Sequence, residues 1–178
     1  KYPTTKVYSY ELVNNSQKSA AWESCYGTQN LPVTKWDEAD IIISFECDFL
    51  GTDGNVIEQT RKFTSRRDMD NPSGFNKLYQ IEGNYSVTGA MADYRLRLTP
   101  ELQYSFILSI ASDLVSKGKS ALVSDDVKSL LSAYSLKSFV GQYKLNHKVI
   151  DELVKDIIAH GDKTLAVAGL AMPKSVHI

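Results

Sequence analysis

Long apolar runs are missing from this sequence. None approaches the roughly 18 consecutive residues that a bilayer-crossing helix needs, so no helical span is expected. An excess of either charge is also missing: 20 lysines and arginines stand against 21 aspartates and glutamates, a formal net charge of −1. That balance gives no reason to expect a phosphate backbone or an anionic membrane as partner. Cysteine is scarce. Cys25 and Cys47 form no C-x-x-C pair, which argues against an iron–sulphur or zinc site built from this segment alone. Spacing does not decide whether the two meet as a disulfide. The ten glycines supply neither G-x-G-x-x-G nor a P-loop, so the usual phosphate cradles are absent. Ser/His/Asp, Cys/His and H-E-x-x-H arrangements are absent as well. His147, His160 and His177 lie on separate late segments, none at metal-ligand spacing from another. No catalytic residue and no metal ligand is assigned, and no signal-peptide pattern, low-complexity tract or internal repeat is found.

What is present describes an ordinary folded domain. An apolar fraction of 43% over 178 residues suffices for a sizeable core in one domain. The segment 6–12 is rich in β-formers and reads as a strand, with Tyr8 and Tyr10 on one side of it. Asn14, Asn15 and Ser16 then open a short helix that Gly27 ends. The run from Ile41 to Phe45 is the clearest strand. Its nearly continuous apolar character suits a strand covered on both faces. A helix follows with Val56, Ile57, Thr60 and Phe63 expected on one side, and residues 70–74 break the chain. Leu78 to Ile81 reads as a further strand. The period-two alternation of 94–98 reads as an edge strand.

Thr99, Pro100 and Glu101 form a strong helix start, with Leu102, Phe106, Ile107, Ile110, Leu114 and Val115 on one face and Gly118 as terminator. Ser124 opens a second late helix. Asn146 opens a third, carrying Val149, Ile150, Leu153, Val154, Ile157 and Ile158 and ending at Gly161. Leu165 to Ala168 reads as the last strand. Strands alternating with helices imply crossovers and a mainly parallel sheet. The expected fold is a three-layer, Rossmann-like α/β domain with helices on both faces, with an α+β arrangement as the alternative.

Open parallel sheets place ligands beyond the carboxyl ends of their strands. Here those ends carry Glu46, Cys47, Asp48 and Phe49, then Glu82, Gly83 and Asn84, then Gly169 and Leu170. Two acids in the first turn would repel a pyrophosphate. Glu46, Asp48 and Asp53 have the chemistry of a hard-cation site or an acid–base pair, but carboxylates just past a strand more often form turns and caps. Arg61, Lys62, Arg66 and Arg67 read as a solvated helix face. Lys1 is not an initiator methionine, and the tail after Ala168 reads as a turn and the opening of a helix. Residues 1–178 are therefore expected to be a single domain taken from a longer multidomain chain.

The segment from Trp36 to Ser44, followed by Asp48-Phe49-Leu50-Gly51, resembles a stretch of the molybdopterin oxidoreductase superfamily. The block from Lys77 to Glu82, and Thr88-Gly89-Ala90-Met91-Ala92-Asp93 after it, looks like the next strand and the segment that follows. Together with Arg66-Arg67, this wording is most similar to the molybdopterin-oxidoreductase-like iron–sulphur subunits of alternative complex III, a bacterial quinol:electron-acceptor oxidoreductase. The resemblance implies a middle domain like that of formate dehydrogenase or DMSO reductase. It further implies a non-catalytic structural role, with iron–sulphur clusters elsewhere in the parent chain and respiratory subunits as partners on the periplasmic face of the membrane. Relatives that bind the pterin carry a small neutral turn after the first strand and Asp-Pro-Arg after the second. This chain has Glu46-Cys47-Asp48-Phe49 and Glu82-Gly83-Asn84 instead, so no cofactor is expected in this domain. A cofactor-binding fragment of a genuine molybdopterin enzyme is the alternative, and an unrelated nucleotide-binding module a third.

Overall fold

The structure is a computed structural model that describes residues 3–8, 16–68, 70, 74–119 and 123–177. In chain order its elements are α1 (Gln17–Tyr26), β1 (Ile41–Phe45), α2 (Val56–Ser65), β2 (Lys77–Glu82), α3 (Val87–Ala90), β3 (Tyr94–Arg97) and α4 (Pro100–Ser116). After these come α5 (Asp125–Leu131), α6 (Leu136–Gln142), α7 (His147–His160), β4 (Thr164–Ala168) and α8 (Lys174–His177). The four strands form one all-parallel sheet in the order β3-β2-β1-β4. This is the α/β architecture expected from the alternation of strands and helices.

The two faces of the sheet build two cores. Because side chains alternate along a strand, Ile41, Ile43 and Phe45 of β1 face one way, with Tyr79 and Ile81 of β2 and Leu96 of β3. Phe106 and Ile110 of α4, Phe139 and Val140 of α6, and Leu153 and Val154 of α7 pack onto them. The late helices therefore cover one face of the sheet. On the other face, Ile42 and Leu78 meet Phe63 of α2, Trp36 and Phe49, with Leu165 and Val167 of β4 against them. Phe49 stacks on Trp36 at 4.1 Å between ring centroids and meets Phe63 edge-on at 5.4 Å. Aromatic groups thus lock the turn after β1 to helix α2.

Several expectations need correction. Residues 6–8 belong to no strand and Tyr8 is exposed, while the remainder of that expected strand, Tyr10 included, lies outside the described residues. Ile57 was expected beside Phe63 but is 84% exposed, whereas Phe63 is fully buried. Six residues apart on a helix, the two point about 120° away from each other. α3 and α6 were not anticipated. The first is one turn long and contains Gly89, and the second spans seven residues including Gly141, so neither shows a sustained periodic stripe.

Candidate functional site

The chain leaves β1 for β2 and β3 on one side, then returns to β4 on the other. The reversal falls between β1 and β4, and in an open parallel sheet the crevice at that point is the place for a ligand. Its walls here are the turn after β1 and the residues after β4.

Glu46 leaves β1 in the left-handed region at φ 51°. Its carboxylate accepts from the N–H of Gly83 at 2.6 Å and from the Gln103 side-chain amide at 2.8 Å. It thereby ties the end of β1 to the end of β2 and to α4. Burial raises its pKa above the ordinary glutamate value, partly offset by those two donors, and the neighbouring Glu82 pushes the same way as burial. Glu82 itself is 1% exposed. It accepts from Arg95 Nε at 2.5 Å, from the Ser86 hydroxyl at 2.6 Å and from the Gln80 amide at 3.1 Å. Ser86 Oγ in turn accepts from the N–H of Gly89, capping α3. A side chain at residue 89 would collide with the Glu82 carboxylate, so only glycine allows this approach.

Asp48 and Asp53 are likewise committed to the chain. The N–H and hydroxyl of Thr88 both donate to Asp48 Oδ1 at 2.9 Å. The Thr88 hydroxyl oxygen accepts from the N–H of Leu50 at 3.0 Å. Asp53 Oδ2 accepts from the N–H of Asp48 at 3.2 Å, and the Asp48 carbonyl accepts from the amides of Gly51, Thr52 and Asp53. Turn-forming and capping, the more ordinary reading of these acids, describes their geometry.

A pyrophosphate bound here would draw on free amides at the turn after β1, and those of Asp48, Leu50, Gly51, Thr52 and Asp53 already have partners in the chain. The crevice is also shut by backbone. The N–H of Gly169 donates to the Phe45 carbonyl at 2.8 Å, and a Cβ at residue 169 would strike the Glu46 carbonyl group. Cys47 adds no reactive thiol. Burial first, and then Asp53, push its pKa up to about 12, so the nucleophilic thiolate is negligible at neutral pH. Cys25 is exposed on α1, and both cysteines are free.

Two polar clusters escaped the sequence reading, both at the opposite end of the sheet. Arg66 is only 5% exposed. It donates to the Asp40 carboxylate at 2.7 Å and to the carbonyls of Asp37, Ala39 and Gly74. Arg67 pairs with Asp93 and Asn76. The basic stretch is a solvated face only in part: Arg61 is exposed and Lys62 pairs with Glu58 along α2, whereas Arg66 and Arg67 turn inward. His160, the last residue of α7, lies 3.3 Å from Asp40. In the second cluster Asp156 of α7 accepts from Lys77 and from the Tyr79 hydroxyl, each at 2.6 Å. Burial works to raise Asp156, but these donors outweigh it and hold the carboxyl below the usual aspartate value. The spacing of Lys77 and Asp156 carries no local signal, because 79 residues separate them.

Among the described residues no group of His, Cys, Asp and Glu comes together in a way that would hold a metal ion, and no helix is long and apolar enough to cross a membrane. No protein-family model matches this chain, and no curated protein is significantly similar to it.

Proposed function

We propose that this domain is a non-catalytic structural part of a molybdopterin-oxidoreductase-like, iron–sulphur respiratory subunit, and that it binds no cofactor of its own. The observation that carries this reading is the filled edge at the β1–β4 crossover. There a sheet of Rossmann-like strand order holds carboxylates and already-bonded amides where a dinucleotide's anionic centre would rest. The resemblance of the segments around Trp36, Asp48 and Thr88 supplies the superfamily. In this reading the sheet is the middle domain of a longer chain whose clusters lie elsewhere. Its surfaces hold neighbouring domains and partner subunits of a quinol oxidoreductase complex on the periplasmic face of the membrane.

Two measurements test it. Calorimetric titration of the purified domain with GDP, which presents the guanine and pyrophosphate of the dinucleotide, is expected to give no saturable heat up to millimolar concentration; micromolar affinity overturns the cofactor-free reading. In membranes of the source organism, an antibody to the domain is expected to mark the native-gel band that oxidises quinol. Migration away from that activity overturns the respiratory assignment.

A further inference from the structure

The two edges of the sheet are protected very differently. β3, at one edge, carries Arg95 and Arg97 among its four residues, and charge on an edge strand is a standard defence against pairing with another chain. β4, at the other edge, reads Thr-Leu-Ala-Val-Ala with no charge and no proline, and Ala166 is exposed.

The register shows which of its backbone groups are spare. The N–H of Gly169 donates to the Phe45 carbonyl. In a parallel ladder alternate residues bond to the same neighbour, so Leu165 and Val167 also turn their amides and carbonyls toward β1. Those of Ala166 and Ala168 therefore point away from the sheet. They open into a groove of about 600 Å³ walled by Trp22 of α1, Pro32, Val33, Ile107 of α4 and His177 of α8. Lys18 and Lys35 stand along it, and no acid lines it among the described residues. Lys35 has an exposed partner in Glu38, whereas Lys18 makes no ion pair among the described residues. The His177 imidazole, held against the backbone of Met172 and Gly169, belongs to the same wall.

We propose that this groove is a strand-addition site, in which an extended, acidic-flanked segment of a partner polypeptide pairs with the outer edge of β4. Backbone amides and carbonyls at a two-residue repeat fit another strand and little else. The walls favour a single extended segment over a second sheet, since residues of α1, α4 and α8 line the groove together with the edge. Small side chains at residues 166 and 168 leave room for the partner's alternate residues, and Lys18 and Lys35 match flanking carboxylates. The proposal does not depend on the respiratory reading and survives its failure.

The probe is the heptapeptide acetyl-Glu-Val-Thr-Val-Thr-Val-Glu-amide, titrated into the isotope-labelled full chain and followed by amide chemical shifts. The expected result is saturable shifts centred on Ala166 and Ala168. Binding should weaken about fivefold at low salt when both glutamates become lysines. N-methylation of alternate peptide amides gives two isomers, one blocking each edge of the peptide; one should abolish binding and the other retain it. Ala166→Pro removes an outward N–H at a position where an edge strand tolerates proline, and it should abolish binding while leaving the circular dichroism unchanged. If that variant does not fold, the two N-methyl isomers decide the matter on the unaltered chain. No shifts at millimolar peptide, shifts centred elsewhere, or equal binding by both isomers overturns the proposal.

Discussion

Glu46 and Asp156 are both withdrawn from solvent, yet their environments move them in opposite directions. Burial dominates at Glu46 and raises its pKa above the ordinary 4.5. The folded state therefore holds that proton more tightly than the unfolded chain, and stability falls as pH rises from 4.5 through the folded value. At Asp156 the donors Lys77 and Tyr79 outweigh burial and lower the pKa below 3.8. Its contribution is fully present above pH 3.8 and is lost as pH falls through the lower folded value. Glu46→Gln keeps an acceptor for Gly83 and Gln103 without the buried charge, so it should match or exceed the parent chain's stability at pH 7. Asp156→Asn removes the closer of the two carboxylates that Lys77 meets, leaving only Glu152 at 3.4 Å, and should cost about 1 kcal/mol at pH 7. Urea-denaturation midpoints between pH 3 and pH 7 check both. A large loss in the Gln variant, or none in the Asn variant, would contradict the balance of burial and hydrogen bonding described above.

At the scale of elements, α2 illustrates how far a periodic pattern can be read. Its apolar content marked a helix, but which apolar residue reached the core depended on where the aromatic pair Trp36 and Phe49 sat. Phe63→Ala should cost about 3–5 kcal/mol, because the ring is fully buried and its loss leaves a cavity under Phe49. Ile57→Ala, on the exposed side, should stay within about 0.5 kcal/mol. Thermal or urea unfolding of the two variants separates these outcomes; comparable losses would mean that α2 packs in another rotation. α3 shows the opposite case. Four residues have little helical tendency of their own, and Thr88, Ser86 and Gly89 hold their turn in place through Asp48 and Glu82. The carboxylates that disfavour an anionic ligand are the same groups that build this element.

For the molecule as a whole, β1 and β2 beyond Lys77 are buried, whereas β3 and β4 each have a single neighbour among the described strands. Native-state hydrogen exchange should therefore find the slowest amides in Ile42 to Phe45 and Leu78 to Ile81, opening only with global unfolding. The amides of Ala166 and Ala168 should exchange early. Protection of β4 equal to that of β1 in the lone chain would mean its outer edge is already paired. The sheet's two polar ends divide the work: carboxylates bind loops together beyond the strand carboxyl ends, and the clusters of Arg66 with Asp40 and Lys77 with Asp156 fasten α2 and α7 at the other.

The sequence by itself determined the class of fold, because strand and helix periods are local properties of residues near one another. The apolar run from Ile41 to Phe45, the proline-initiated α4 and the Asn146-capped α7 are all legible in that way. It also placed acids at the carboxyl ends of β1 and β2, where Glu46 follows the one strand and Glu82 closes the other. Only the tertiary structure decided the order β3-β2-β1-β4, the crossover beside Glu46 and Gly169, and the inward turn of Arg66 and Arg67. Each depends on residues that meet only when distant segments cross, such as Arg66 with Asp40 and Glu46 with Gln103. Burial and pairing across such distances leave no periodic trace along the chain.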